Sequence, residues 1–303
     1  MSQQNPNSSD NSTIEKYRGD IPGWKHFSHP TRRKIKLAIQ HILRIIVLIG
    51  VLFPIYWTVV SAIQPQSVLS PNPNLLPVTF TLENFNNVIF DSMYPVFFFN
   101  SVVVMLGVVS INAVLATLGG YGLARIDMPF KKTFARGVLF GYMFPPILLS
   151  IPMYILWRQL GIINSYIGLI LAETALTLPF SLWLMWKFFQ TVPYSLEESA
   201  QMAGATRFQA MVDVALPMAK PGIIAISILA FAISWGQYTM PLILMPEQSR
   251  FVLTVGLDSF TEGNVVFWGE LMAGVFIAIL PAFVFVYYLQ KYMLRGFRAG
   301  GVR

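Results

Sequence analysis

The sequence contains no cysteine and few charged residues. Only 12% of its 303 residues are Asp, Glu, Lys or Arg, and the three histidines all precede the first long apolar run. A disulfide framework and a thiolate metal site are therefore excluded, and no other metal site is expected. Hydrophobic residues make up 55% of the chain and the mean hydropathy is +0.58, more than a soluble core of this size requires. The composition indicates an integral membrane protein.

The sequence also lacks a phosphate-binding loop. The pattern G-x-x-x-x-G-K-[ST] does not occur, and there is no Gly-Lys dipeptide anywhere in the chain. Such a loop would be needed to cradle the phosphates of a nucleotide. The chain is therefore expected to bind no cofactor and to contain no catalytic residues.

Six apolar runs are long enough to cross a bilayer. A hydrocarbon core of ~30 Å requires about 20 apolar residues in a helix, because every backbone group must be satisfied internally there. The sequence therefore predicts an all-α membrane protein with six transmembrane helices. The predicted spans are residues 45–63, 95–118, 137–157, 167–186, 221–244 and 271–289.

The distribution of basic residues predicts the orientation. Of the 21 Lys and Arg residues, 19 fall on the side that contains both termini, and only Arg158 and Arg250 fall on the other. By the positive-inside rule, both termini are cytoplasmic. The net charge of +7 is thus explained by topology, and no nucleic-acid partner is expected. The predicted location is the inner cell membrane, with lipid as a partner.

Two domains are predicted. Residues 1–30 are rich in Ser, Asn, Gln and Pro and contain few apolar residues, so they cannot bury enough surface to offset the entropy of ordering. Residues 1–38 are therefore predicted to be a flexible cytoplasmic tail, and residues 39–303 to be the transmembrane domain.

The most informative segment is the polar stretch at residues 191–217, between the fourth and fifth runs. Ser195 with Glu198, and Thr206 with Gln209, have the spacing of helix-capping boxes. Gly204 between them is placed to supply a left-handed turn. The pattern predicts a short helix, a glycine turn and a second helix that Leu216-Pro217 closes.

Four apolar residues of the second helix have offsets of 0, 3, 4 and 7, which predicts one apolar face. They are Phe208, Met211, Val212 and Ala215. Such a face suits a groove in a partner protein. From the residues alone, a helix lying at the membrane interface is an equally good interpretation.

The same segment resembles the signature loop of binding-protein-dependent ABC importer permeases. The family pattern is Glu-Ala-Ala, three residues, Gly, nine residues, Ile-x-Leu-Pro. This chain has Ser199 in place of alanine and Val214 in place of isoleucine, and Ala203 replaces an aspartate that often precedes the glycine. Further segments are similar to the carbohydrate branch of the family, in particular to the MalG-type subunit. They are LFPIYWTVVSAI, TLENFNNVI, GYGLARI, NSYIGLILAETALTLPFSLWLMWKFF and FRAGGVR.

The resemblance implies the fold of a type I ABC importer permease and a set of partners. These are a second, MalF-like permease, two ATPase subunits that bind ATP and Mg, and an extracytoplasmic solute-binding protein. It also implies that the signature loop inserts into a cleft of the ATPase. The coupling positions carried over to this chain are Glu198, Ser199, Ala200, Gly204, Val214, Leu216 and Pro217.

Candidates for the solute pathway lie in the fourth and fifth runs. Glu173 is the only ionisable residue well inside a predicted span, where a charge is costly, and it either lines the pathway or reaches the external interface. Trp235, Gln237 and Tyr238 offer aromatic faces and an amide for a sugar, although the interfacial aromatic belt is the ordinary explanation for Trp and Tyr. The family usually has asparagine where this chain has Gly236.

Three rival functions stay open at this point. A permease for peptides or amino acids would keep the signature loop and lose the NSYIGLIL and PFSLWLMWKFF segments. An ion-coupled carrier would need several charges within the spans and, commonly, repeated halves, whereas this sequence has one acid and no visible repeat. A membrane-anchored assembly protein is the third. The sequence does not name the sugar.

Overall fold

The structure, a computed structural model, describes residues 29–69, 74–262 and 265–299. Within the predicted tail, residues 1–28 lie outside the described residues, and a helix begins at His29. The chain divides into two compact units, Met1–Trp57 and Thr58–Arg303. The first helix passes from one unit into the other.

The described elements are almost all helical. In chain order, the α-helices are α1 (His29–Ala62), α2 (Gln66–Leu69), α3 (Glu83–Asn86), α4 (Tyr94–Arg125), α5 (Lys131–Gly141), α6 (Pro146–Gln159), α7 (Tyr166–Thr191), α8 (Tyr194–Met202), α9 (Arg207–Ala210), α10 (Leu216–Trp235), α11 (Thr239–Leu244), α12 (Leu253–Gly256) and α13 (Trp268–Ala299). The remaining elements are π-helical turns at Asn87–Asp91 and Met211–Ala215, 3₁₀ turns at Gln248–Arg250 and Leu257–Phe260, and the strands β1 (Thr261–Glu262) and β2 (Val265–Val266). The two strands pair antiparallel, with Thr261 opposite Val266.

Five helical segments of the described residues are long and apolar enough to cross a membrane. They are Leu37–Ala62, Tyr94–Arg125, Tyr166–Thr191, Arg207–Trp235 and Trp268–Phe285. At 1.5 Å per residue, even the 18 residues of the last one reach about 27 Å, close to the thickness of the hydrocarbon core. The predicted all-α membrane fold is confirmed.

The third predicted span is not one straight helix. Residues 137–157 fall on α5 and α6, which are bent by 90° at a short break, so a sixth span exists only if the bent pair is counted as one. Pro145 has an extended backbone, with ψ of 136°, because the ring of Pro146 excludes the helical conformation from the residue before it. The two consecutive prolines thus explain the break.

The fifth predicted span, residues 221–244, has different limits in the structure. A continuous helical segment begins at Arg207 and ends at Trp235, and α11 follows after a break. The prediction that Leu216-Pro217 closes a separate unit is therefore wrong. Pro217 has no N–H group, so it cannot donate the α-helical hydrogen bond to the Asp213 carbonyl. The wider π-helical turn Met211–Ala215 lies at the place where this hydrogen bond is missing.

Helices α4, α7 and α10 pack together and form the core next to the signature segment. One buried cluster contains Ala116, Met185, Phe189, Ala215, Ala219 and Ile226. Gly120 of α4 faces α7 so closely that a Cβ atom there would stand 2.6 Å from Met185 Cβ and 2.8 Å from the Trp186 amide nitrogen. The absence of a side chain therefore lets the two helix backbones approach, and the cluster gives the segment a packed base.

Candidate functional site

Helix α8 opens the signature segment, but its first turn is not capped as the sequence suggested. Its N-cap residue is Pro193, which makes no side-chain cap bond, and Ser195 already lies inside the helix. The Ser195 carbonyl instead accepts a hydrogen bond of 2.8 Å from the Ser199 hydroxyl. The predicted capping box of Ser195 and Glu198 is therefore wrong, because the N-cap is Pro193 and the helix starts two residues earlier than that pattern requires.

Gly204 makes the predicted left-handed turn, with φ of +100°. The Ala205 amide donates to the Ala200 carbonyl and the Gly204 amide donates to the Gln201 carbonyl, both at 3.0 Å. This pair of bonds is a Schellman motif, which satisfies carbonyls at the end of α8. The turn prediction is confirmed.

Thr206 caps the next helix as predicted. Its Oγ1 accepts a hydrogen bond of 3.2 Å from the Gln209 amide, and the Gln209 side chain accepts one of 2.8 Å from the Thr206 amide. Two amides of the first turn are thus satisfied. The motif and the glycine turn together define the angle between the two helices of the segment.

The predicted apolar face of the second helix is split in the structure. Met211 and Ala215 are buried, whereas the Phe208 side chain is 67% exposed and Val212 is also exposed. The π-helical turn rotates successive residues relative to an α-helix, so offsets of 3 and 4 no longer define one stripe. The large apolar and aromatic side chains that this segment exposes are Tyr194, Leu196, Met202, Phe208 and Val212, hereafter the exposed apolar set.

The coupling positions that the resemblance assigns lie in the same segment. Glu198, Ser199, Gly204 and Pro217 are exposed, and Ala200, Val214 and Leu216 are half-buried. These seven positions therefore offer one carboxylate, that of Glu198, and several apolar groups to their surroundings.

The residue that sequence reasoning missed is Glu197, next to Glu198. Its side chain is fully buried and pairs with Arg125 at the end of α4, with 2.7 Å between Nη2 and Oε1. The Tyr121 hydroxyl donates to the other carboxylate oxygen at 2.8 Å. A glutamate in a polar segment is unremarkable in sequence, so only the GYGLARI segment, which contains Tyr121 and Arg125, pointed to this part of the site.

Glu173 is buried between helices. Its side chain is 1% exposed, and the Ser234 hydroxyl donates to Oε2 at 2.5 Å. Its other oxygen, Oε1, accepts no hydrogen bond from the described residues. Nearby on the same helix, Thr177 accepts a bond of 2.7 Å from the Asn112 amide. Glu173 thus belongs to a buried polar row between α4, α7 and α10.

The three candidates that follow Ser234 have three different environments. The Trp235 indole donates to the Ala278 carbonyl of α13 at 3.1 Å and stacks on Phe231. Gln237 lines a cavity of about 330 Å³, and Tyr238 donates to Asp258 at 2.6 Å, a bond that raises the pKa of the phenol. The structure therefore does not gather the predicted pathway residues into one cluster.

The cavity beside Gln237 lies at the break of the third span. Besides Gln237, it is lined by Gly141, Tyr142, Met143, Phe144, Pro145, Pro146, Leu149, Ala175, Leu176 and Ile233. Its wall is mostly apolar, with an amide and a phenol as polar groups, a composition usual for small-molecule sites. Among the described residues, no group of three or more His, Asp or Glu side chains is placed to hold a metal ion.

The sequence is similar to those of several known proteins. The family model described as "Binding-protein-dependent transport system inner membrane component" matches residues 116–299. The permease protein NgcG of the diacetylchitobiose uptake system of Streptomyces coelicolor is 30% identical over 256 residues, which are 84% of this chain and 85% of that protein. The permease protein SugB of the trehalose transport system of Mycobacterium tuberculosis is 29% identical over 255 residues, which are 83% of this chain and 92% of that protein.

The fold is shared with a solved structure. A chain in the crystal structure of a bacterial ABC transporter involved in the import of the acidic polysaccharide alginate matches with a TM-score of 0.76 and 21% identity. The match covers 88% of this chain and 98% of that chain. The fold is therefore that of an ABC importer permease.

Proposed function

The chain belongs to the family of binding-protein-dependent transport system inner membrane components, and we propose that it provides half of the translocation pathway of an ATP-driven importer for a carbohydrate or a sugar derivative. The relatives support the solute class, since one is named for diacetylchitobiose uptake and another for trehalose transport. A permease for peptides or amino acids is the alternative, and neither of these two names favours it.

The family implies an ATPase and a solute-binding protein as partners. We propose the fuller assembly of this chain, a second MalF-like permease, two ATPase subunits and an extracytoplasmic solute-binding protein. In this assembly the chain is not an enzyme. ATP and Mg are bound by the ATPase subunits, and this chain holds no cofactor.

The observation that carries the proposal is the exposed apolar set of the signature segment. Met202 is 90% exposed and Phe208 is 67% exposed, in a segment that a Schellman turn and a capping box hold in a defined shape. Exposed apolar side chains on an ordered helix pair indicate a surface that another molecule covers. We propose that a cleft in the ATPase covers this surface and that the seven coupling positions act there.

The proposed pathway runs past the cavity at the break of the third span. Gln237 lines it directly, whereas Glu173 supports the packing of α7 on α10 through Ser234. Trp235 and Tyr238 lie close to Gln237 in sequence but do not line this cavity, since they bond to Ala278 and Asp258. An amide beside apolar walls matches a sugar, which needs both hydrogen bonds and flat apolar contact.

Cysteine cross-linking tests the proposal directly, because the natural chain contains no cysteine. Met202→Cys is placed at the tip of α8, and the affinity-tagged protein is purified from its own host and treated with a short bismaleimide. The expected product is a cross-link to an ATPase subunit, identified by mass spectrometry, together with co-purification of a second permease.

Met143→Cys is the matched control, because Met143 is 75% exposed but lies at the break of the third span. It should give no cross-link to the ATPase. If a fluorophore attached to Met202→Cys in the purified assembly is instead quenched by brominated lipids, and the variant never cross-links, the segment is an interfacial helix and the coupling proposal is wrong.

A further inference from the structure

We infer that Arg125 and Glu197 are positioning residues that lock helix α8 to the cytoplasmic end of α4, so that the signature segment and α4 move as one body. This inference rests on the proposed coupling function, because it concerns how a displacement of the segment reaches the spans. Neither residue is among the coupling positions that the resemblance assigns.

The link consists of several directed bonds that meet at one carboxylate. Arg125 Nε and Nη2 both lie 2.7 Å from Glu197 Oε1, and the Tyr121 hydroxyl donates to Oε2 at 2.8 Å. Arg125 Nη2 also donates to the Val192 carbonyl at 2.9 Å, between α7 and α8. Its guanidinium lies 5.3 Å from the centre of the Tyr194 ring. One arginine thus contacts three successive parts of the chain: the end of α7, the start of α8 and Glu197.

Burial makes this link costly to break. The Glu197 side chain is 0% exposed and that of Arg125 is 10% exposed. Separating a buried ion pair leaves a charge without a partner and without water, which is strongly unfavourable. Hydrogen bonds from a planar guanidinium also constrain direction as well as distance. Helix α8 therefore cannot slide along α4 without losing all of these contacts.

The chain itself provides no such connection. Helix α8 follows α7 directly and leads through the Gly204 turn into α9, so the backbone carries its movement to α7 and α10 only. Arg125 and Glu197 are 72 residues apart in sequence, and the hydrogen bonds that Arg125 and Tyr121 donate to Glu197 join α8 to α4 through side chains. Because α4 has 32 residues, or about 48 Å of helix, a displacement at Arg125 is transmitted to the external side.

The distance between two spin labels, one on α8 and one beside α4, tests whether the two helices move together. The chain contains no cysteine, so labels can be attached at introduced cysteines alone. Ser195→Cys on α8 and Asp127→Cys just after α4 are both exposed positions outside the link. The doubly labelled chain is studied in the complete transporter in liposomes, without nucleotide and after trapping with ATP and vanadate. We expect the same distance in both states, because α4 and α8 move together.

Arg125→Lys and Glu197→Gln are the test variants. Lysine keeps the charge but cannot donate to Glu197 and Val192 through one planar group, and glutamine keeps hydrogen-bonding atoms but removes the charge. We expect the distance to differ between the two states in both variants. The amount of sugar moved per ATP should fall roughly tenfold, within the usual range of allosteric coupling factors.

Asp213→Asn is the matched control, since it also converts a carboxylate to an amide, at an exposed side chain of the same segment that is not one of the coupling positions. The distance between the labels should stay constant in this control. If it also stays constant in Arg125→Lys and Glu197→Gln while Met202→Cys still cross-links to the ATPase, the link is refuted and the coupling proposal stands. If Met202→Cys, with Arg125 and Glu197 both retained, gives no cross-link to an ATPase subunit, the coupling proposal itself is refuted.

Discussion

Gly204 and Gln237 are two single residues on which the proposed function makes specific demands. Gly204 has positive φ, and no heavy atom lies within 4 Å of the position that a Cβ would take. Glycine is therefore required here for the left-handed backbone conformation, and not because a side chain would collide with its neighbours. Gln237 is instead defined by its surroundings, since it lines the cavity at the break of the third span.

Gly204→Val should leave membrane insertion intact and abolish coupling. A β-branched residue at this φ costs about 1–2 kcal/mol or more, because its Cβ crowds the carbonyl oxygen in a left-handed conformation. The turn that orients α8 relative to α9 would then open. The measurement is uptake of the sugar that the solute-binding protein binds in a panel of sugars, together with the amount of chain in the membrane.

Gly161→Val provides the matched control for the glycine substitution. Gly161 also has positive φ, +68°, and open space around it, but it lies between α6 and α7. The same strain there should leave most of the uptake intact. Equal uptake by both variants and the parent chain would show that the Gly204 turn is not needed for coupling.

Gln237→Leu should lower sugar uptake without lowering the amount of assembled transporter. Leucine has a similar size, so the cavity wall is kept while the amide hydrogen bonds to the solute are lost. The control is Gln248→Leu, at an exposed glutamine of the external turn Gln248–Arg250. Unchanged kinetics of uptake in Gln237→Leu would remove Gln237 from the pathway.

At the scale of elements, helix ends decide the shape of the signature segment. The two serine or threonine patterns look alike in sequence, but only Thr206 caps a helix, because Pro193 already begins α8 before Ser195. The break between α5 and α6 and the π-helical turn before Pro217 likewise arise from prolines. Local chemistry at these ends thus sets helix direction.

Thr206→Ala should destabilise the first turn of α9, whereas Ser195→Ala should not affect α8. Loss of a capping threonine typically costs about 0.5–2 kcal/mol, since an amide loses its partner. Hydrogen exchange of the Gln209 amide should become faster in Thr206→Ala, and Thr206→Ser should restore protection. Equal protection in Thr206→Ala and the parent chain would contradict a structural role for the cap.

At the scale of the whole molecule, the asymmetry of basic residues corresponds to the two sides of the membrane. The signature segment, the Arg125–Glu197 pair and 19 of the 21 Lys and Arg residues belong to the cytoplasmic side. The short helices and strands after α11 belong to the external side. Transport requires that the two sides communicate, and α4, α7 and α10 are the helices that connect them.

Single-cysteine labelling tests this topology in whole cells. Ser249→Cys, in the external turn, should react with a membrane-impermeant maleimide in intact cells. Ser195→Cys, on α8, should react only after the membrane is permeabilised. Reaction of Ser195→Cys in intact cells would invert the orientation and place the signature segment on the wrong side for an ATPase.

The sequence by itself determined the membrane class, most of the spans, the orientation and the glycine turn with its following cap. Each of these depends on properties that are read along the chain, namely apolar length, basic residues near span ends, and the local geometry of Gly204 and Thr206. Similarity to a known family added the partners, because these are not encoded in any local pattern.

The tertiary structure alone decided which of two adjacent glutamates is buried, and which of the candidates after Ser234 borders a cavity. Glu197 and Glu198 are adjacent residues of the same type, but the packing of α8 against α4 turns the first towards Arg125 and the second outwards. Trp235 and Gln237 differ in the same way, one against α13 and the other in the cavity. Such contacts join residues far apart in the chain, and only the packing of helices brings them together.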